Sequence, residues 1–176
     1  LKKFDILEPL IEWHQKVWNK LYEEKTVSTS DYYNHTVSTA RNLSSAKIKL
    51  GITLSKPISG TISSRFGSIS RVRSGAHTGL DIATSYGTPI KPIAEGKVTF
   101  AAYNGSYGKL VIIDHGNGVE SYYGHCSSIY VEVGQEVDTN TTIAAVGSTG
   151  NSTGNHLHLE IRINGVPQNP QKYLYK

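Results

Sequence analysis

From Ile52 to the end of the chain, no apolar run is long enough or regular enough for a helix of ordinary length. Short stretches rich in Val, Ile, Thr and Tyr are instead cut every few residues by Gly, Pro, Asn and Ser. Strands are predicted at Gly60–Ser63, Thr78–Ala83, Pro89–Pro92, Gly96–Tyr103, Lys109–Asp114, Val119–Gly124, Ala144–Ser148 and His156–Ile163. Between them stand Asn104-Gly105, Gly116-Asn117-Gly118 and Asn164-Gly165, turn sequences whose ready access to positive φ suits tight hairpins. This spacing predicts a mainly β domain over residues 52–176, a two-sheet antiparallel sandwich or barrel-like sheet.

The residues ahead of it read differently. Leu7, Leu10, His14, Val17 and Leu21 follow a 3-4-3-4 spacing flanked by Ile11 and Trp18, so residues 1–25 are predicted to form an amphipathic helix. Such a helix packs on the domain, on a sister copy or on a larger parent protein, and self-association through it is an expectation. Residues 26–51 are polar and Thr/Ser-rich, with Tyr32, Tyr33, Asn34 and His35 in their middle, and read as a linker or extended arm. The chain starts at Leu1 and contains no methionine, so it is expected to be a piece of something longer.

The formal charge of +4 is spread along the sequence without a Lys/Arg cluster, which argues against a nucleic-acid partner and suits a polyanionic surface. Cys126 is the single cysteine, so neither an intrachain disulfide nor a cysteine-based metal cluster can form.

Two groups of residues carry chemistry. One is His77-Thr78-Gly79-Leu80-Asp81; the other is His156-Leu157-His158-Leu159-Glu160. Residues two apart in a strand face the same side, so His156, His158 and Glu160 share a face while Leu157 and Leu159 enter the core. His77 and Asp81, an even number apart, can aim at a common centre. Two imidazoles and one carboxylate suit zinc, and three protein ligands leave a fourth position for water, the pattern of a catalytic rather than a structural site. Spacing alone leaves open which histidine of the H-x-H pair is the ligand. Taken singly, any one of these histidines reads more readily as structural than as functional. No H-E-x-x-H motif is present, so a glutamate base on a helix is unsupported.

At these residues the chain resembles the lysostaphin/LytM-type zinc endopeptidases. The likeness runs through Arg65-Phe66-Gly67, His77-x-Gly79-x-Asp81, Gly87-Thr88-Pro89-Ile90, Ala94-x-Gly96-x-Val98 and Asp114-His115-Gly116-Asn117-Gly118. It continues through Tyr123-x-His125 and Val133-Gly134-Gln135 to Gly147-Ser148-Thr149-Gly150 and His156-x-His158, about two-thirds of the chain. The resemblance implies a two-sheet antiparallel fold of the duplicated hybrid-motif type, with one zinc ion in a groove between loops. It implies His77, Asp81 and His158 as ligands, and His125 and His156 as the acid–base or oxyanion-stabilising pair. The implied reaction is hydrolysis of peptide bonds in bacterial peptidoglycan, in cross-bridge or stem peptide, with a zinc-activated water as nucleophile. The implied setting is extracytoplasmic: secreted, wall-bound, anchored outside the membrane or phage-borne. A catalytically weak wall-binding or scaffold module on the same fold is the alternative; such relatives typically lack one of the five residues.

Glycine-rich loops at Tyr103–Gly108 and Gly147–Asn155 are expected to wall the groove, with Asn104, Tyr107, Thr149 and Asn151 as substrate-lining residues; ordinary turn chemistry is the competing reading. The family often places a tyrosine hydroxyl near the metal, upstream of the first ligand, and this chain has no tyrosine between Tyr33 and Tyr86. Cys126 is expected to be a small buried hydrophobe and His115 a structural turn residue, while Glu160 reads equally as a partner orienting a ligand or as a solvated edge. The arm could fold over the groove and offer Asn34 or His35 as a fourth ligand.

Overall fold

A computed structural model describes residues 51–69 and 75–175. The predicted N-terminal helix, the arm with Asn34 and His35, and any contact they make lie outside the described residues.

The described chain runs β1 (Thr61–Ser64), β2 (Leu80–Ala83), β3 (Pro89–Ile90), β4 (Gly96–Tyr103), a single 3-10 turn (Gly105–Tyr107), β5 (Lys109–Asp114), β6 (Val119–Ile129), β7 (Glu136–Val137), β8 (Ala144–Val146), β9 (His156–Ile163), β10 (Val166–Gln168) and α1 (Gln171–Leu174). Every pairing is antiparallel, and the main path across the sheet is β1-β2-β9-β6-β5-β4-β7. β10 pairs with the end of β9, and the β3–β8 pair branches from the path at β6. The protein is therefore mainly β, as its strand spacing predicts.

Alternation explains β9. Leu157, Leu159 and Ile161 point one way and are fully buried, joining Leu80 and Ile82 of β2, Val111 and Ile113 of β5, and Tyr123 of β6 in one core. Each fully buried Leu or Ile contributes roughly 1.5–3 kcal/mol relative to exposure, so the register that sends these leucines inward is strongly specified, and His156, His158 and Glu160 are carried to the other face. The hairpin β9–β10 turns at Asn164 (φ 49°) and Gly165 (φ 78°), two successive positive φ values that Asn-Gly tolerates.

β6 does more than its predicted span suggests. Its first half, through Gly124, pairs with β9; from Cys126 onward it pairs with β8. At the changeover its register against β5 also shifts, between Lys109 and Val111. The strand thus continues five residues past the predicted end at Gly124. β7 and β10, of two and three residues, are too short to give a periodic signal.

Cys126 is fully buried, donates its thiol to the Tyr123 carbonyl at 3.2 Å and has its pKa pushed up to about 12 by burial. His115 is structural: its Nδ1–H donates to the Glu95 carbonyl at 2.6 Å, and its Nε2 lies 2.7 Å from the Ser121 hydroxyl.

Candidate metal centre and catalytic groove

Asp81 and His158 are cross-strand partners on β2 and β9. Their neighbours Leu80, Ile82, Leu157 and Leu159 are all fully buried, so the pleat turns the carboxylate and the imidazole together to the opposite face. His77 precedes β2 and is pinned by backbone bonds to the loop after β1: its N–H donates to the Ser68 carbonyl at 3.0 Å and its carbonyl accepts from Gly67 at 2.8 Å. The segment can lie this close to β9 because residue 79 is glycine; a Cβ there would sit 2.4 Å from the Leu159 carbonyl oxygen and 2.9 Å from His158 Cε1.

The result is a tight triangle. His77 Nε2 lies 3.0 Å from Asp81 Oδ1 and 3.0 Å from His158 Nδ1, and His158 Nδ1 lies 2.8 Å from Asp81 Oδ1. All three residues are buried, and their donor atoms lie within 4.8 Å of one another.

The far side of each imidazole is also fixed. His77 Nδ1–H donates to the Arg65 carbonyl at 3.0 Å, which leaves Nε2 as the inward lone pair. His158 Nε2–H donates to Glu160 Oε1 at 3.0 Å, which leaves Nδ1 inward. Ligand histidines are characteristically held in this way, one nitrogen on the metal and the other on a carbonyl or carboxylate. Burial opposes ionisation of Asp81, but hydrogen bonds and charge from His158 and His77 overcome it and hold the carboxyl well below the usual carboxylate range. Two imidazole nitrogens and one ionised oxygen, all inward, fit zinc by number and chemistry.

Glu160 is fully buried. Burial works against its charge, yet hydrogen bonds from His158, Arg162 and Thr78 prevail and bring its pKa down to about 2. Arg162 Nε and Nη2 both lie 2.7 Å from Oε2, and the Thr78 and Tyr107 hydroxyls donate to Oε1, the latter at 2.8 Å. The Arg162 guanidinium covers the Tyr122 ring, 4.2 Å from its centroid. Of the two readings of Glu160, partner and solvated edge, the structure selects the first. Thr78, Tyr107 and Arg162 are not predicted from the sequence as its partners. The available signal was the continued alternation of polar residues at 156, 158, 160 and 162 along a single strand face.

His125 and His156 flank the triangle. His125 sits where β6 changes partners, with φ 62°, an uncommon conformation for a residue other than glycine. The irregularity re-aims its side chain, a use that bulges beside sites often serve. Its Nδ1–H donates to the Thr149 carbonyl at 2.8 Å. Burial, partly offset by that bond, pushes its pKa down to about 4, so the ring is neutral at pH 7 with a lone pair on Nε2. His156 Nδ1–H donates to the Gly154 carbonyl at 2.7 Å, and its Nε2 lies 3.8 Å from Asp81 Oδ1. The two rings are 4.7 Å apart by their centroids.

These residues line a groove of about 480 Å³. Much of its remaining wall is small and polar, including Ser63, Ser106, Asn151 and Thr153, and among the described residues Asp81 is the one carboxylate that lines it. Of the four residues expected to contact substrate, Tyr107 and Asn151 line the groove and Asn104 and Thr149 are not among its lining. Asn104 closes the 3-10 turn through its backbone, donating to the Gly108 carbonyl at 2.8 Å. Thr149 faces inward, with its hydroxyl on the Cys126 carbonyl at 2.7 Å and its carbonyl on His125. The two wall loops meet backbone to backbone: Asn151 N–H donates to the Ser106 carbonyl at 2.8 Å, and a Cβ on Gly150 would lie 2.3 Å from Gly108 N.

Comparison with known proteins agrees with this architecture. The chain is 50% identical over 94 residues to DD-carboxypeptidase/endopeptidase Mpg of Neisseria meningitidis, covering 53% of this chain and 22% of that protein. It is 42% identical over 96 residues to the murein hydrolase activator EnvC of Escherichia coli, covering 54% of this chain and 23% of that one. The chain thus spans about a fifth of the length of these relatives. The catalytic domain of lysostaphin from Staphylococcus simulans superimposes with a TM-score of 0.60 at 29% identity, covering 65% of this chain and 91% of that one. Residues 75–170, more than half of the sequence, match the model of Peptidase family M23, and the chain belongs to that family of zinc metallopeptidases.

Proposed function

We propose that this domain is a zinc-dependent endopeptidase that hydrolyses peptide bonds of bacterial peptidoglycan, in the cross-bridge or the stem peptide. The observation that carries the reading is the convergence of His77, Asp81 and His158 within 4.8 Å, with His125 and His156 beside them in one groove. The similarity to a protein named as a DD-carboxypeptidase/endopeptidase supports it.

In this reading His77 Nε2, Asp81 and His158 Nδ1 hold the ion. Zinc bound there supplies Lewis-acid polarisation of a carbonyl and lowers the pKa of water toward neutrality. The chain's own groups do the rest. His125, neutral at pH 7 and anchored through Nδ1 on Thr149, presents Nε2 as the base that takes a proton from the attacking water and returns it to the leaving amine. His156, anchored through Nδ1–H on the Gly154 carbonyl, donates from Nε2–H to the oxyanion as the tetrahedral state forms, a role that requires its imidazolium form because both ring nitrogens then donate. The small groove walls accept a slim, extended peptide, with Tyr107 and Asn151 at its edge. Asn104 and Thr149 act indirectly, by shaping the wall loops.

The division into a helix at 1–25, an arm at 26–51 and the endopeptidase domain at 52–176 belongs to the same proposal. So do an extracytoplasmic location and association through the N-terminal helix with a second copy or a larger parent. A second reading, a weakly catalytic module that acts through a protein partner, draws on the similarity to the murein hydrolase activator EnvC. The presence of all five site residues favours hydrolysis over it.

The test is mass spectrometry of fragments released from purified peptidoglycans of differing cross-bridge type by the zinc-loaded protein. New peptide termini in one cross-bridge class support the enzyme and identify the bond. Bound zinc with no fragment from any preparation favours the partner-dependent module.

A further inference from the structure

The metal ligand His158 is held from behind by a residue that is itself held from three sides. Glu160 is two residues further along the same strand face, fully buried, and its Oε1 receives His158 Nε2–H at 3.0 Å. Four other donor atoms converge on the same carboxylate: the Thr78 and Tyr107 hydroxyls on Oε1, and Arg162 Nε and Nη2 on Oε2. A carboxylate this buried is costly unless paired, and Arg162 supplies the compensating charge. That pairing leaves Asp81 as the anion available to a dication.

Tyr107 gives the cluster its reach. It closes the 3-10 turn in one groove wall, and its hydroxyl both donates to Glu160 and accepts from Arg162 Nη2 at 3.1 Å. The same wall is joined through Lys109 N–H, 3.0 Å from the Thr149 hydroxyl, to the loop whose carbonyl anchors His125. Hydrogen bonds linked through the chain at Tyr107–Lys109 and at Thr149 therefore connect the far nitrogen of a metal ligand to the far nitrogen of a catalytic imidazole.

We infer that Glu160 is a positioning residue for the metal site, fixing His158 with Nδ1 inward, and that Tyr107 acts through Glu160 to tie this orientation to the groove wall that anchors His125. The inference rests on the metallopeptidase reading of the site, but its physical core, the grip of Glu160 on His158, does not depend on turnover.

Two readouts test it in the full chain. The first is the imidazole N–H proton of His158 by NMR, which a bond to a buried carboxylate moves downfield and protects from exchange. The second is zinc affinity by competition with a chelator. In the unaltered protein the protected proton is present. Glu160→Gln, whose uncharged amide oxygen is a weaker acceptor, moves it upfield and speeds its exchange, and weakens zinc binding by about 10- to 100-fold, the usual loss for a partner of a ligand histidine. Tyr107→Phe weakens binding by a smaller factor, and the double variant binds no more weakly than Glu160→Gln alone, because the hydroxyl works through the carboxylate. Unchanged affinity and an unchanged proton in Glu160→Gln overturn the inference, as do losses that simply multiply in the double variant. Should Glu160→Gln fail to fold, Tyr107→Phe decides: affinity and proton both unaltered overturn the coupling. Zinc binding without hydrolysis by the unaltered protein would count against the enzymatic reading alone, and absence of zinc binding would count against the metal site while the NMR signal still decides whether Glu160 holds His158.

Discussion

Asp81 and His158 face each other across β2 and β9, with Oδ1 2.8 Å from Nδ1, and this single cross-strand pair places two thirds of the proposed ligand set. It does so through the sheet register alone. Slipping β9 by one residue would turn His158 inward and expose Leu157 and Leu159, and slipping β2 would turn Asp81 inward and expose Leu80 and Ile82, so the core that stabilises the fold also fixes the site. Asp81→Asn keeps the shape of the side chain and removes its charge. Zinc affinity, read by chelator competition, is expected to fall by more than the roughly 100-fold upper range typical of outer partners. Hydrolysis should fall with metal occupancy and recover in part when zinc is added in excess.

His125 and His156 are expected to separate from the ligands in their response. His125→Ala and His156→Ala should each lower kcat by about 10²- to 10⁴-fold, the range for a lost proton-transfer or oxyanion-stabilising group. Zinc content, measured by native mass spectrometry, should stay at that of the unaltered protein. Loss of zinc in either variant would mean that the imidazole belongs to the ligand set.

The junction of the two groove walls predicts a stability effect. Gly150 has φ 74° and its missing Cβ would meet the Gly108 backbone nitrogen at 2.3 Å, a contact that backbone cannot easily relieve. Gly150→Ala is expected to destabilise by about 1–3 kcal/mol, a shift of several degrees in Tm. At Gly154 a Cβ would meet nothing within 4 Å, so Gly154→Ala should change stability by less than about 0.5 kcal/mol. Urea unfolding of the two variants checks the contrast.

His115 predicts a pH dependence away from the groove. Burial lowers its pKa, partly offset by the bond to the Glu95 carbonyl and by Asp114. The folded state therefore prefers the neutral ring, and the unfolded state takes up the proton first as pH falls. This contribution to stability is fully present above the unfolded value near 6.5 and is lost as pH drops below it. Urea midpoints should fall between pH 7.5 and 5 more steeply for the unaltered protein than for His115→Gln. The His115 ring should titrate below 6.5 when followed by NMR.

Much of this was legible in the sequence because it depends on alternation. The residues from His156 to Ile163 announce a strand with leucines inward, and the observed β9 has the predicted bounds. The pairing of Asp81 with His158 follows from one register between β2 and β9, which the hydrophobic pattern favours, and His77 is added from outside β2 by its backbone bonds to Gly67 and Ser68. The conformation of His125 was not legible. It depends on β6 exchanging β9 for β8 at that residue, a tertiary event with no local pattern in Tyr123-Gly124-His125-Cys126. Thr149 was misleading for a related reason: a threonine in a glycine-rich loop suggests a surface contact, but its hydroxyl is drawn inward by the Cys126 carbonyl, 23 residues earlier in the chain.

Whether His77, Asp81 and His158 hold one zinc ion on which peptide hydrolysis depends is decided by titrating zinc into the metal-stripped protein while following peptidoglycan peptide release. Release is expected to rise in proportion to added zinc and to level at one equivalent, and a His77→Ala/Asp81→Ala/His158→Ala variant is expected neither to bind that equivalent nor to release peptide. Hydrolysis that survives complete chelation, or undiminished activity in the triple variant, would contradict this assignment.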